Sequence, residues 1–67
     1  MELREKLRKL RTGRGLSQQE LAKQCGVTRQ TVNAIENNRY DPTLALAFQL
    51  ARVLGTTVDE LFCPEEK

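Results

Sequence analysis

Thr28, Arg29, Gln30 and Asn33 crowd into six consecutive positions and carry the groups best suited to reading base-pair edges. A guanidinium can donate two parallel hydrogen bonds to guanine O6 and N7, and a primary amide can both donate to and accept from adenine. Threonine brings a hydroxyl for a phosphate and a methyl for thymine. On a helix, Arg29, Gln30 and Asn33 project from one side while Val32 and Ile35 project from the other. Thr31, Asn37 and Arg39 flank this stretch and are expected to reach backbone phosphates, with Arg14 and Lys23 as further basic groups nearby. Chemistry of other kinds lacks its parts. The chain has no histidine and two cysteines, Cys25 and Cys63, which do not make a zinc pattern. No nucleophile, base and orienting group can be assembled, so neither an enzyme nor a metal or cofactor site is expected.

Apolar spacing shows what must hold those side chains in place. Leu3, Leu7 and Leu10 recur at helical intervals, with Arg4, Lys6, Arg8 and Lys9 on the wet sides, and Gly13 and Gly15 stop this first helix. Ser17 and Glu20 form a capping box at the start of a second helix that buries Leu21, Ala22 and Cys25 and ends at Gly26. Thr28 is the N-cap of a third helix, running to about Asn37, that seats Val32 and Ile35 with Thr28 and Thr31 turned inward and Ala34 outward. Residues 37–42 are turn chemistry. Thr43 caps a fourth helix, Leu44 to Leu54, with Leu44, Ala47, Phe48, Ala51 and Leu54 on one face and Leu46, Leu50 and Val53 on another. Apolar almost all round, it is expected to be the buried central helix. Gly55 ends it, and a second capping box, Thr57 and Glu60, opens a short last helix bearing Val58, Leu61 and Phe62. The expected architecture is all-α, one domain over residues 1–67 with a core of about 3–62 and a charged tail, 63–67. Two short helices joined by a tight glycine-containing turn, the second and third here, are a helix-turn-helix unit.

The string Ser17-Gln18-Gln19-Glu20-Leu21-Ala22, then Gly26-Val27-Thr28-Arg29-Gln30-Thr31-Val32, then Ile35-Glu36-Asn37 resembles the phage repressor and Cro type of helix-turn-helix, often called Xre-like. The likeness continues through Tyr40-Asp41-Pro42-Thr43-Leu44 and Val58-Asp59-Glu60-Leu61-Phe62, so it spans nearly the whole chain. It implies a five-helix repressor-like domain that puts the first turn of the third helix into the major groove. Gln18 matches the position that clamps the DNA backbone. Arg11 and Glu36 match positions that form a partly buried ion pair between the first and third helices. The resemblance further implies repression of transcription by blocking polymerase.

The remaining features bear on partners. Residues 1–40 hold nine Lys/Arg against four Asp/Glu, and residues 41–67 two against five, so a net charge of only +2 hides a basic half suited to a polyanion. A lone module of 67 residues makes few base contacts, and readers of this class pair on half-sites about 34–36 Å apart. Val58, Leu61, Phe62 and Cys63 form an apolar cluster expected to make a homodimer, and hence a palindromic operator. The length leaves no room for an effector domain, so regulation is expected through concentration, dimerisation, proteolysis or a separate regulatory partner protein. No apolar run is long enough for a bilayer and no signal peptide is evident, which makes the cytoplasm the expected compartment. An antitoxin would need a toxin-binding segment beyond the short tail, and three aromatics are too few for an RNA-stacking platform.

Overall fold

Helix ends, rather than helix interiors, define how this chain turns. In the computed structural model, which describes residues 5–62, five helices follow one another: α1 Glu5–Gly13, α2 Gln18–Cys25, α3 Arg29–Glu36, α4 Leu44–Leu54 and α5 Val58–Phe62. The first four close alike. The carbonyls of Arg11, Ala22, Ala34 and Ala51 accept from the N–H five residues on, those of Leu16, Val27, Arg39 and Thr56, at 2.9–3.1 Å. This six-to-one bond requires the residue before the donor to be left-handed. Gly26 meets that requirement at φ 71° without a Cβ to obstruct it, and Asn38 meets it at φ 57° as the only non-glycine to do so among the described residues. Starts are capped with equal economy. Ser17 Oγ accepts from Glu20 N at 3.0 Å while Glu20 Oε1 accepts from Ser17 N at 2.9 Å, completing the first box. Thr28 and Thr43 cap α3 and α4 by accepting from Thr31 N and Leu46 N, each at 3.2 Å.

The second capping box forms only in half. Thr57 Oγ1 accepts from Glu60 N at 3.1 Å, but the Glu60 carboxylate accepts from Lys6 Nζ at 3.2 Å and so ties α5 to α1. α2 packs on α3 and on α4, α4 on α5, and α1 closes the bundle against α5 and α3. The shared core is Leu7, Leu21, Ala22, Cys25, Val32, Ile35, Leu46, Leu50, Ala51, Leu54 and Leu61.

Three expectations need correction. Helix α4 is not buried all round: Leu46, Ala47, Leu50, Ala51 and Leu54 face the core, whereas Leu44 is 70% and Phe48 55% exposed. The first set forms one helical stripe; Phe48 lies outside it and Leu44, on the first turn, at its edge, and the other described helices leave both uncovered. Thr28 does not turn inward. It is exposed and spends its hydroxyl on the cap, and Thr31, half-buried, lies 3.0 Å from it through its own hydroxyl. Ala34, expected outside, is half-buried. Leu3, Arg4 and Cys63 lie outside the described residues.

Between α1 and α3 the bundle is fastened by charge. Arg11 Nε donates to Glu36 Oε2 at 2.5 Å and its Nη2 to Glu36 Oε1 at 3.3 Å, while its Nη1 donates to the Leu16 carbonyl at 2.8 Å. Both side chains are buried. Removing one partner would strand the other charge out of water, a loss of about 3–5 kcal/mol. Glu36→Ala should therefore lower the melting temperature by more than about 10 °C in a domain this small. A calorimetric scan unchanged by the substitution would show that water already satisfies both groups.

Cys25 is buried in the core, and that burial pushes its thiol up from 9.0 because the thiolate would lose its hydration. The folded chain thus holds this proton more tightly than the unfolded chain. Its contribution to stability is complete below the unfolded value and is lost as pH rises through the folded one. In a Cys63→Ser background, the remaining thiol should react with a disulfide reagent at neutral pH far more slowly before denaturation than after it. Equal rates would place Cys25 at the surface.

Candidate nucleic-acid interface

The first turn of α3 presents its polar side chains without internal claims on them. Arg29 and Gln30 are exposed and make no side-chain hydrogen bond among the described residues. Val32, Ile35 and Glu36 bury the opposite side of the same helix. Tilt and depth of the exposed side are therefore set by the core and by the Arg11–Glu36 fork, not by local flexibility. The free guanidinium and amide remain available to planar acceptors, the arrangement that bidentate base recognition needs.

Behind that first turn the polar groups form a connected chain. Gln18, the first residue of α2, donates through Nε2 to Glu36 Oε1 at 3.1 Å. Its Oε1 accepts from Asn33 Nδ2 at 3.3 Å. Asn37, at the end of α3, donates through Nδ2 to the Asn33 carbonyl at 2.9 Å and to Asn33 Oδ1 at 3.2 Å. The expected backbone clamp, the expected ion pair and one expected base reader thus share a single network that runs Arg11, Glu36, Gln18, Asn33, Asn37. Asn33 differs from Arg29 and Gln30 in having both ends of its amide engaged. The network borders a polar cleft of about 300 Å³ lined by Arg8, Arg11, Gln18, Asn33, Glu36 and Asn37.

Other expected contacts are placed less uniformly. Arg39 and Lys23 are exposed and unpaired among the described residues. Arg14 is committed elsewhere: its Nε donates to the Leu54 carbonyl at 3.1 Å and so caps the C-terminus of α4. Glycine at position 55 suits the left-handed φ of +69°, and a Cβ there would push the Arg14 guanidinium aside. The α5 cluster is split. Leu61 is buried in the chain's own core and offers no surface to a partner, which corrects its assignment to a subunit contact. The cause is the packing of α5 on α4, which claims the inward residue of so short a helix. Val58 and Phe62 stay half-buried and line a groove with Asp41, Pro42, Leu44 and Ala47. Arg8 was not singled out by sequence reasoning. Its place three residues before Arg11 was the available signal, since i and i+3 share a helical face.

Comparison with known proteins converges on one group. Residues 7–61 match the Helix-turn-helix family HTH_3. The chain is 42% identical over 64 residues to an uncharacterized HTH-type transcriptional regulator of Methanocaldococcus jannaschii, covering 96% of this chain and 97% of that protein. Among solved structures it is similar to the restriction-modification controller protein C.AhdI from Aeromonas hydrophila, with a TM-score of 0.79 and 38% identity over 87% of this chain and 88% of that one. It is also similar to a chain of the SinR protein/SinI protein complex, with a TM-score of 0.81 and 25% identity over 92% of this chain and 61% of that one. Curated relatives in this set are regulators and the family is not one of enzymes. With its helix-turn-helix at α2 and α3, its capped and free first turn of α3 and these relatives, the chain belongs to the Xre-like HTH_3 family of DNA-binding transcriptional regulators.

Proposed function

We propose that this protein is a sequence-specific repressor that seats α3 in the major groove of a palindromic operator as a homodimer. The observation that carries the reading is the exposed, unpaired Arg29 and Gln30 on the first turn of a helix whose other side is locked by Val32, Ile35 and Glu36. Arg29 and Gln30 are the principal base readers, with Thr28 and Asn33 beside them. Gln18, Thr31, Asn37 and Arg39 hold the backbone on either side. The likeness to a restriction-modification controller and to other HTH-type regulators supports DNA as the partner and the cytoplasm as the place of work.

Dimerisation rests on the α4–α5 edge, where exposed Leu44 adjoins half-buried Val58 and Phe62. Two such units can present α3 to half-sites about 34–36 Å apart. Similarity to a chain of a two-protein complex supports regulation by a separate protein partner.

Selection from a random duplex pool tests the reading directly. A palindrome with one fixed half-site spacing is expected, and an unenriched pool would reject sequence-specific binding. In the same assay Gln30→Ala should relax preference at individual base pairs, each worth about 1–3 kcal/mol. Gln18→Ala should weaken all sequences alike. Sedimentation at high micromolar concentration should give the mass of two chains; a single-chain mass rejects the dimer. A reporter behind the selected site should fall silent when the protein is supplied, and a rise would make it an activator.

A further inference from the structure

We infer that Asn33 is a positioning residue, a crossbar that fixes Gln18 and Asn37 at once, so that its part in recognition is carried by them and not by a base of its own. The inference rests on the DNA-binding reading above and gives Asn33 a task that Arg29 and Gln30 do not share. The buried Glu36 carboxylate dictates the direction of each bond in the chain. A carboxylate only accepts, so Gln18 must turn its amide nitrogen towards Glu36. That leaves the Gln18 oxygen to accept from Asn33 Nδ2. The Asn33 oxygen is left in turn to accept from Asn37 Nδ2. Three amides inherit their orientation from one acidic group, and Asn33 passes it from the start of α2 to the end of α3.

Position suits Asn33 alone to this task. It lies one turn before Asn37, the i to i+4 spacing that brings side chains together on a helix, and faces the first residue of the helix packed against its own. Arg29 and Gln30, a turn earlier, make no side-chain hydrogen bond among the described residues. Bidentate recognition of adenine needs a free acceptor and a free donor on one amide. Gln30 has both, whereas the Asn33 oxygen already serves Asn37 and its nitrogen Gln18. Holding Gln18 and Asn37 in advance removes freedom that each would otherwise lose when DNA docks. Each keeps one other anchor, Gln18 on Glu36 and Asn37 on the Asn33 carbonyl, so loss of the crossbar is felt in part.

Affinity of the intact chain for a random-sequence duplex tests this, because sequence-blind binding draws on backbone contacts and not on base readers. Asn33→Ala should weaken it by about 2- to 10-fold, the worth of the rotamer freedom of one immobilised side chain. The melting temperature and the base preference in pool selection should stay as they are. In a background carrying Gln18→Ala and Asn37→Ala the same substitution should have no further effect, since nothing remains for Asn33 to hold. Gln30→Ala is the contrast: it should alter base preference and leave random-duplex affinity intact. A change of base preference with Asn33→Ala overturns the inference, because Asn33 would then touch a base. Unchanged random-duplex affinity overturns it as well, and so does an undiminished loss in the doubly substituted background, where Asn33 would be acting alone. In each of these outcomes DNA binding itself stands. An unmodified chain that binds no duplex would overturn the DNA-binding reading and the crossbar with it.

Discussion

The arrangement depends on one buried ion pair. Arg11 and Glu36 sit on α1 and α3, helices that pack less closely than α2 and α3, and their fork supplies a directional bond between them. Two parallel hydrogen bonds between planar groups fix an angle as well as a distance, which a contact between two leucines does not. Arg11 also holds the Leu16 carbonyl, so the loop leading into α2 is tied to the same point. Glu36 in turn receives Gln18 from the start of α2. Three elements thus meet on two side chains, and the exposed turn of α3 inherits its orientation from them.

Such a pair does not recommend itself on stability alone. Two charges lose their hydration on burial, and a well-packed apolar pair of similar volume often does as well or better. Its worth here lies in geometry. The polar network that begins at Arg11 ends at Asn37, passing through Gln18 and Asn33 on the way. The described residues contain no buried side-chain nitrogen or oxygen without a partner, so no buried atom of the network is stranded. A satisfied network is stiff, and stiffness at a binding surface lowers the entropy that must be lost when a partner docks.

Local signals were legible wherever a short stretch of chain contains both members of the interaction. Ser17 and Glu20, Thr28 and its helix, Thr43 and Gly26 all act within five residues, and each does what its type and position dictate. The recognisable α2–α3 unit and the exposed Arg29 and Gln30 follow from the same local rules. The ion pair was expected only through family resemblance, because no periodicity connects positions 11 and 36. Helix α4 shows the opposite case. Its composition reads as buried on every side, yet Leu44 and Phe48 are exposed, since composition says how apolar a helix is and not how many neighbours it will have.

By itself, then, the sequence determined the helices, their caps, the left-handed stops between them and the polar type of each residue on α3. Those follow from steric preference and hydrogen bonds reaching one turn along the chain. Only the tertiary structure decided which of the polar and apolar groups are spoken for. It sent Arg14 to the Leu54 carbonyl, Glu60 to Lys6 and Leu61 to the core, and it engaged both ends of Asn33 while leaving Arg29 and Gln30 free. The physical reason is that a side chain's availability depends on groups brought near it from distant parts of the chain, and the spacing of residues along a helix carries no record of them.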